Sequence, residues 1–455
     1  MELAGKNVLV FGAAVSGISA AETLLAAGAR VTLADGKELE KLKQTDGLTG
    51  LTGRATLALG RQDEALLDTM DLLILSPGIS IHHALPQAAL RRKIPVWGEV
   101  ELAGRLCQAP IVAVTGTNGK TTTTTLLGEM MKTRYDEVVI GGNIGVGLAQ
   151  AVGRVGADGY VVAEISSFQL EAAGTFHPHI AVMLNLTPDH LDRHGSLDGY
   201  ATVKEQIFAN QTAQDYLVLN HDDVRVRDMA QRCRSRAFFF SRQIELETGA
   251  FVSAGSICLR WQGKTETVCR IDEMKLFGGH NVENALAACS AAYLAGVAPS
   301  QMAKLLREFS GVEHRIEPVA TLEGVRWFND SKATNPESSI KALEAFLGQV
   351  ILIAGGRDKN TDLAEFMNLV KQKVDQLILI GEAAARFAAA AQAAGVKNIV
   401  QAGSLAEAVE TARQLARSPQ VVLLSPACAS YDMFDNYEQR GRIFKQLVRK
   451  EERQG

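Results

Sequence analysis

The chain has 455 residues, 47% of them hydrophobic and 22% charged, with a formal net charge of −4. That length exceeds one ordinary core and calls for two to four domains, and the composition is that of a soluble globular protein. No basic excess is present to neutralise phosphates, which argues against a nucleic-acid partner. The first residues lead straight into a strand pattern without a signal-peptide profile. The longest apolar run, 285–298, is Ala-rich, broken by Ser290 and too short to cross a bilayer. The six cysteines, at 107, 233, 258, 269, 289 and 428, show neither a C-x-x-C pair nor zinc spacing. The expectation is a cytoplasmic protein with reduced thiols and no transmembrane segment.

Residues 6–35 read as a β-α-β unit. A strand over 7–11 leads into the turn Gly12-Ala13-Ala14-Val15-Ser16-Gly17, and a strand over 30–34 ends at Asp35. A dinucleotide fingerprint wants glycine at position 14, where Ala14 stands. The turn still offers a helix N-terminus to a diphosphate, with Asp35 placed to accept hydrogen bonds from a ribose or base. A further strand over 72–75 ends at Ser76-Pro77-Gly78-Ile79-Ser80, and open α/β sheets bind ligands at such carboxyl strand ends. Taken alone, this domain indicates a nucleotide-like anion, with an empty flavodoxin-like fold as the alternative. Residues 104–110 read as a linker.

An apolar strand over 111–114 then runs into Thr115-Gly116-Thr117-Asn118-Gly119-Lys120-Thr121-Thr122 and a helix over 122–132. Strand, Gly-rich turn and helix make a phosphate cradle, with backbone N–H groups and the positive helix end facing one anion. Lys120 is placed to reach the β- and γ-phosphates of ATP, and the Thr121 hydroxyl to hold Mg²⁺. The general P-loop pattern wants glycine where Val114 stands, so a turn that binds nothing is the alternative. Strands follow over 137–140, 160–165, 180–186, 216–220 and 237–241, then an antiparallel edge over 250–271 and helices over 281–295 and 300–309. After Gly311, strands recur over 325–329, 350–353, 377–380, 398–400 and 421–424.

The expected fold class is therefore α/β with three domains in series. Residues 1–108 would be Rossmann-like and bind a nucleotide substrate. Residues 109–311 would be a P-loop ATPase-like parallel sheet with an antiparallel edge, and 312–455 a second Rossmann-like domain. In the middle domain Asn143, Glu164, His190 and Lys204 lie at carboxyl strand ends or on the helix just after, so they converge near the P-loop. Mg²⁺ takes hard oxygen ligands, and Glu164 with Thr121 fits one ion. His190 and Lys204 by themselves read as a polar pair near the surface.

Several segments occur in one order: G-T-N-G-K-T, G-G-N-I-G, E-I-S-S-F-Q-L-E, N-L-T-P-D-H-L-D-R-H, G-x-H-N-x-x-N from Gly278, and N-D-S-K-A-T-N-P-E-S from Asn329. That order resembles the Mur ligases, the ATP-dependent amide ligases of peptidoglycan synthesis. The block S-P-A-C-A-S-Y-D-M-F-x-x-Y-E-Q-R-G, from Ser425 to Gly441, is similar to the branch of that family that adds D-glutamate. The D-N-P-R of branches that add lysine or diaminopimelate is missing.

The resemblance implies ATP, UDP-N-acetylmuramoyl-L-alanine and D-glutamate as substrates, two Mg²⁺ ions and an acyl phosphate; a monomer is the expectation, though the sequence does not give oligomeric state. It implies ATP contacts at Gly116, Thr117, Asn118, Gly119, Lys120, Thr121, Thr122, Asn284, Arg315, Asp330 and Lys332. Val15, Ser16, Asp35, Gly36, Ser76, Pro77, Gly78 and Asn143 would hold the UDP-substrate, and Thr334, Lys359, Ser430 and Tyr437 the D-glutamate. Metal ligands would be Thr121, Glu164, His190 and a carbamylated Lys204. The family often carries leucine and phenylalanine where this chain has Tyr431 and Tyr437. The alternatives are another Mur ligase, a folylpolyglutamate synthase-like ligase, which should lack the Gly12-to-Asp35 unit, and an NAD-binding oxidoreductase, which accounts for residues 1–100 only.

Overall fold

The computed structural model describes residues 2–42, 47–144, 146–276, 278–358 and 361–450. Its first compact unit comprises residues 1–274 and 283–307, and its second comprises 275–282 and 308–455.

The first unit contains two sheets. Strands β1 (Asn7–Phe11), β2 (Arg30–Asp35), β3 (Thr56–Leu59), β4 (Leu72–Leu75) and β5 (Val96–Gly98) pair in the order β3-β2-β1-β4-β5. All are parallel, and β1 and β4 are apolar runs because helices cover both faces of such a sheet. The order reverses direction at β1, which opens a crevice at the carboxyl ends of β1 and β4.

The second sheet takes β6 (Ile111–Thr115), β7 (Val138–Gly142), β8 (Tyr160–Glu164), β9 (Ile180–Met183), β10 (Tyr216–Asn220), β11 (Arg236–Ser241), β12 (Gly249–Ser253), β13 (Ser256–Trp261) and β14 (Lys264–Arg270). Their order is β14-β13-β12-β11-β10-β9-β6-β8-β7, parallel except for the β12-β13-β14 edge. That edge is antiparallel for a local reason. Ala254-Gly255 and Gln262-Gly263 all have positive φ, the two-residue turn that matches strand twist. One hydrophobic cluster runs from Val8 and Val10 through Leu102 and Ala149 to Met183 and Leu217, joining both sheets of the unit.

In the second unit, β15 (Glu317–Leu322), β16 (Val325–Asn329), β17 (Val350–Gly355), β18 (Val374–Ile380), β19 (Ile399–Gln401) and β20 (Val421–Leu424) pair as β15-β16-β20-β17-β18-β19. Only β15 is antiparallel. Alternate residues feed two cores, Leu352, Leu377 and Leu423 on one face, Ile351, Ile378 and Leu424 on the other.

The fold class is as the sequence indicates, three α/β domains, with local differences. The supposed linker at 104 is the end of helix Glu99–Leu106, held by buried Val100, Leu102 and Ala103; only 107–110 are non-helical. The strand expected over 180–186 stops at Met183, because the residues beyond turn toward the P-loop. Strands β3, β5 and β15 were missed, being short or lying at a sheet edge. All six cysteines are free, and among the described residues no helix is long and apolar enough to cross a membrane.

Candidate active site

Strand β6 is buried between β9 and β8, and its end delivers the loop Gly116–Gly119. Gly119 takes φ 84° at the start of helix Lys120–Lys132, and a Cβ there would stand 2.2 Å from Asn284 Oδ1. No side-chain hydrogen bond caps the helix start, whose positive end favours an anion. Thr121 and Thr122 are buried in the first turn. Lys120 Nζ lies against its own loop, 3.0 Å from Gly116 O and 2.7 Å from Thr117 O. Asn284 meets the loop's helix through Thr123 Oγ1 at 3.3 Å.

The loop is clamped from outside. Asn118 N donates to Asn185 Oδ1 at 2.8 Å, and Asn185 Nδ2 donates back to Asn118 O at 3.1 Å. Thr187 N reaches Thr117 Oγ1 at 3.0 Å, and that hydroxyl donates to Thr187 O at 3.1 Å.

Register places the acid. Glu164 pairs with Val114 across β8 and β6, two residues before the loop's first glycine. Its carboxylate is buried: Oε1 accepts from Asn143 Nδ2 at 2.9 Å, while Oε2 has no partner among the described residues. Gly142, at φ 102°, lets β7 approach closely, since a Cβ would stand 2.3 Å from Glu164 O. A buried carboxylate oxygen without a donor is what a hard cation such as Mg²⁺ accepts, so the residues fit one.

Lys204 comes from helix Leu197–Glu205 and is 1% exposed. Its amine donates to Gly116 O at 2.8 Å and to Thr115 Oγ1 at 3.2 Å, above the Tyr200 ring. Burial, and then the charge of Lys120, hold this amine well below the ordinary lysine range. His190 begins the next turn at φ 52°, exposed, with its ring 4.6 Å from that of Phe168.

At the first sheet's crevice, helix Val15–Ala26 also starts without a side-chain cap. Gly12 takes φ 108°, and Ser76 Oγ donates to its carbonyl at 3.1 Å. Asp35 faces backbone: Oδ2 accepts Ala13 N and Oδ1 accepts Lys37 N, each at 2.8 Å. Gly36 follows directly, and Ser16 is half-buried on the helix.

In the second unit, Asp330 is buried at the end of β16, with Ser425 Oγ 2.7 Å from Oδ2 and Ile316 N 3.2 Å from Oδ1. Burial pushes its carboxyl up to about 7, against the pull of Arg315. Arg315 Nε is itself buried without an acceptor among the described residues. Lys332 Nζ lies 5.8 Å from the Tyr437 ring, Ser430 is buried and Thr334 half-buried. Tyr431 is 65% exposed, so its exchange for leucine leaves the core untouched. Lys359 lies outside the described residues.

The family model described as "Mur ligase middle domain" matches residues 114–292, "Mur ligase, glutamate ligase domain" matches 314–428, and "Mur ligase MurD-like, N-terminal domain" matches 6–98. A UDP-N-acetylmuramoylalanine–D-glutamate ligase from Pelotomaculum thermopropionicum is 48% identical over 97% of both chains. This chain belongs to the Mur ligase family. A second ligase of that description, from Desulfitobacterium hafniense, is 44% identical over 100% of both chains. The Mur fold extends to the UDP-N-acetylmuramate-alanine ligase of Thermotoga maritima, at TM-score 0.59 and 18% identity over 99% of this chain and 100% of that one.

Within this Mur ligase, three contributors escaped the sequence reading. Asn185 clamps the P-loop, Arg193 reaches the Pro77-Gly78 turn, and fully buried Arg440 ties Ser331 to the Cys428 and Ala429 carbonyls. Each sits inside a motif already singled out, but only its partner reveals its work.

Proposed function

We propose that this chain joins D-glutamate to UDP-N-acetylmuramoyl-L-alanine through an ATP-derived acyl phosphate, in peptidoglycan precursor synthesis. The observation that carries the reading is the buried Glu164 oxygen, unpartnered among the described residues, beside a P-loop that bears Lys120, on a chain 48% identical to a relative of that description.

The substrate carboxylate attacks the γ-phosphorus, the bond to ADP breaks, and an acyl phosphate forms. The amine of D-glutamate then attacks the acyl carbon; phosphate leaves and the amine proton passes to solvent. Lys120 swings from the Gly116 and Thr117 carbonyls to the transferring phosphoryl, where one placed donor contributes about 10²- to 10³-fold in rate. Loop N–H groups hold the phosphates in line.

Two Mg²⁺ ions, when bound, neutralise charge between triphosphate and carboxylate; Thr121 with Glu164 would hold one, His190 with Lys204 the other. A neutral Lys204 amine can add to CO₂: a C–N bond forms as one C=O π pair moves onto oxygen, the nitrogen proton passes to solvent, and the carbamate supplies the hard oxygen ligand that an amine lacks. Asn284, Arg315, Asp330 and Lys332 are assigned to the nucleotide. Thr334, Lys359, Ser430 and Tyr437 are assigned to D-glutamate, and Val15, Ser16, Asp35, Gly36, Ser76, Pro77, Gly78 and Asn143 to the UDP-substrate.

Phosphate release with ATP and UDP-N-acetylmuramoyl-L-alanine, run against a panel of amino acids, tests the reading. D-glutamate alone should support turnover at useful rates. Equal rates with L-lysine or diaminopimelate would overturn it.

A further inference from the structure

Arg193 lies in the one-turn helix Leu191–His194, three residues after His190. Its side chain is only 17% exposed. The guanidinium grips Glu171 with two bonds, Nε to Oε1 at 2.7 Å and Nη2 to Oε2 at 2.6 Å. Its outer edge donates to the first domain, Nη1 to Gly78 O at 3.2 Å and Nη2 to Pro77 O at 3.3 Å. Its Cζ lies over the Phe168 ring, 4.5 Å from the centroid.

The short helix Ser167–Leu170, which Glu171 follows directly, also receives the histidines on either side. The His190 ring stands 4.6 Å from Phe168, and His194 Nε2 lies 3.1 Å from Ser167 Oγ. The turn 190–194 is therefore seated on residues 167–171, just beyond the strand that ends in Glu164. From that seat one side chain extends to the carboxyl end of β4.

Chemistry limits what Arg193 can be doing there. A phosphate-gripping arginine keeps its fork open, whereas this fork is filled by Glu171 and two carbonyls, and Glu171 cancels its charge. Its contribution is geometric. Only a planar guanidinium can hold a carboxylate by one edge and donate to two adjacent carbonyls by another; an ammonium cannot.

We propose that Arg193 is a positioning residue that sets the distance between the turn Ser76-Pro77-Gly78 and His190, and so fixes where the carboxylate of a UDP-linked substrate arrives. The proposal rests on the ligase reading above. A substrate anchored at its nucleotide end and reacting at its far end is sensitive to that distance, because a misplacement of about 1 Å costs about 10²-fold in rate.

The test compares Arg193→Lys and Arg193→Ala with the wild type in steady-state ligation. Arg193→Lys should raise KM for UDP-N-acetylmuramoyl-L-alanine and lower kcat, each about tenfold, with KM for ATP unchanged. Millimolar guanidinium ion should restore part of the activity of Arg193→Ala and none of that of Arg193→Lys, whose ammonium fills the gap. A merely structural residue would move all three kinetic constants together and show no rescue. Thermal melting of Arg193→Lys near the wild-type value keeps the comparison valid if Arg193→Ala does not fold. An Arg193→Lys enzyme with wild-type constants, or one in which KM for ATP rises in parallel, overturns the positioning role alone. A wild-type enzyme that fails to ligate overturns the ligase reading and this role with it.

Discussion

Two strand–turn–helix junctions in the first unit start alike and are finished differently. After β1, Gly12 turns at φ 108° into helix Val15–Ala26; after β6, Gly116 turns at φ 152° into helix Lys120–Lys132. Both helices start without a side-chain cap, and both turn a positive end toward an anion. The first turn then closes on itself, with Asp35 accepting Ala13 N and Lys37 N. The second is clamped by Asn185 and carries two amines, Lys120 and Lys204, both on the Gly116 carbonyl. Bare N–H groups suffice to hold a diphosphate. Moving a phosphoryl group calls for mobile positive charge and a nearby carboxylate, and only the second junction has them.

Removing the amines should break the second junction hardest. Lys204→Ala is expected to lower kcat about 10³-fold. Acetate should restore part of it, whereas Lys204→Arg should stay inactive, because a carbamate is an oxygen ligand and not a cation. Full activity in Lys204→Arg, indifferent to acetate and to bicarbonate depletion, would remove the carbamate from the account.

Lys120→Ala should cost slightly less, about 10²- to 10³-fold in kcat. Calorimetric binding of the UDP-substrate should be unchanged, since that ligand is assigned to the other junction. Parallel loss of that binding would mean that the two junctions act as one site.

The first junction breaks through its glycine. A Cβ on Gly17 would stand 1.8 Å from Gly12 O, so Gly17→Ala must displace the turn. KM for the UDP-substrate should rise about tenfold while KM for ATP stays put, if the turn serves only the nucleotide-sugar. A rise in KM for ATP alone would reverse the assignment.

The smallest effect lies away from both junctions, at the start of β10. Burial would raise the Asp215 carboxyl, but hydrogen bonds from His177, Thr212 and His179 outweigh it and hold the group down at about 2. A carboxyl depressed on folding stabilises the protein above its unfolded value and loses that contribution as pH falls through the folded one. Chemical denaturation of wild type and Asp215→Asn should therefore differ above about pH 4 and converge toward pH 2, with ligation rates equal at neutral pH. A gap that does not narrow on acidification would remove the Asp215 charge as its source.

The legible part of the site was the part that is local. The P-loop glycines, G-G-N and the strand ends at Glu164 and Asp35 are short patterns in which each residue's backbone geometry is set by its neighbours. Asn185, Arg193 and Arg440 were not legible, because each has a partner far off in the chain, at 67, 116 and 109 residues. Edge strands β3, β5 and β15 escaped for a related reason: a strand paired on one side carries too little apolar pattern to announce itself. In the other direction, Asp35 and Ser76 read as contacts for a nucleotide substrate, and the fold gives their atoms backbone partners.

Residue order alone determined the alternation of strands and helices, the left-handed turns that only glycine makes easily, and the run of motifs that marks the family. Tertiary structure decided the chemistry those motifs carry. Strand register set Glu164 beside Val114 and left one of its oxygens without a donor among the described residues. Packing buried the Lys204 amine against the Gly116 carbonyl and next to a second lysine, which lowers its proton affinity. The physical reason is that charge state and ligand capacity depend on desolvation and on neighbours brought from elsewhere in the chain, quantities that no local stretch of sequence contains.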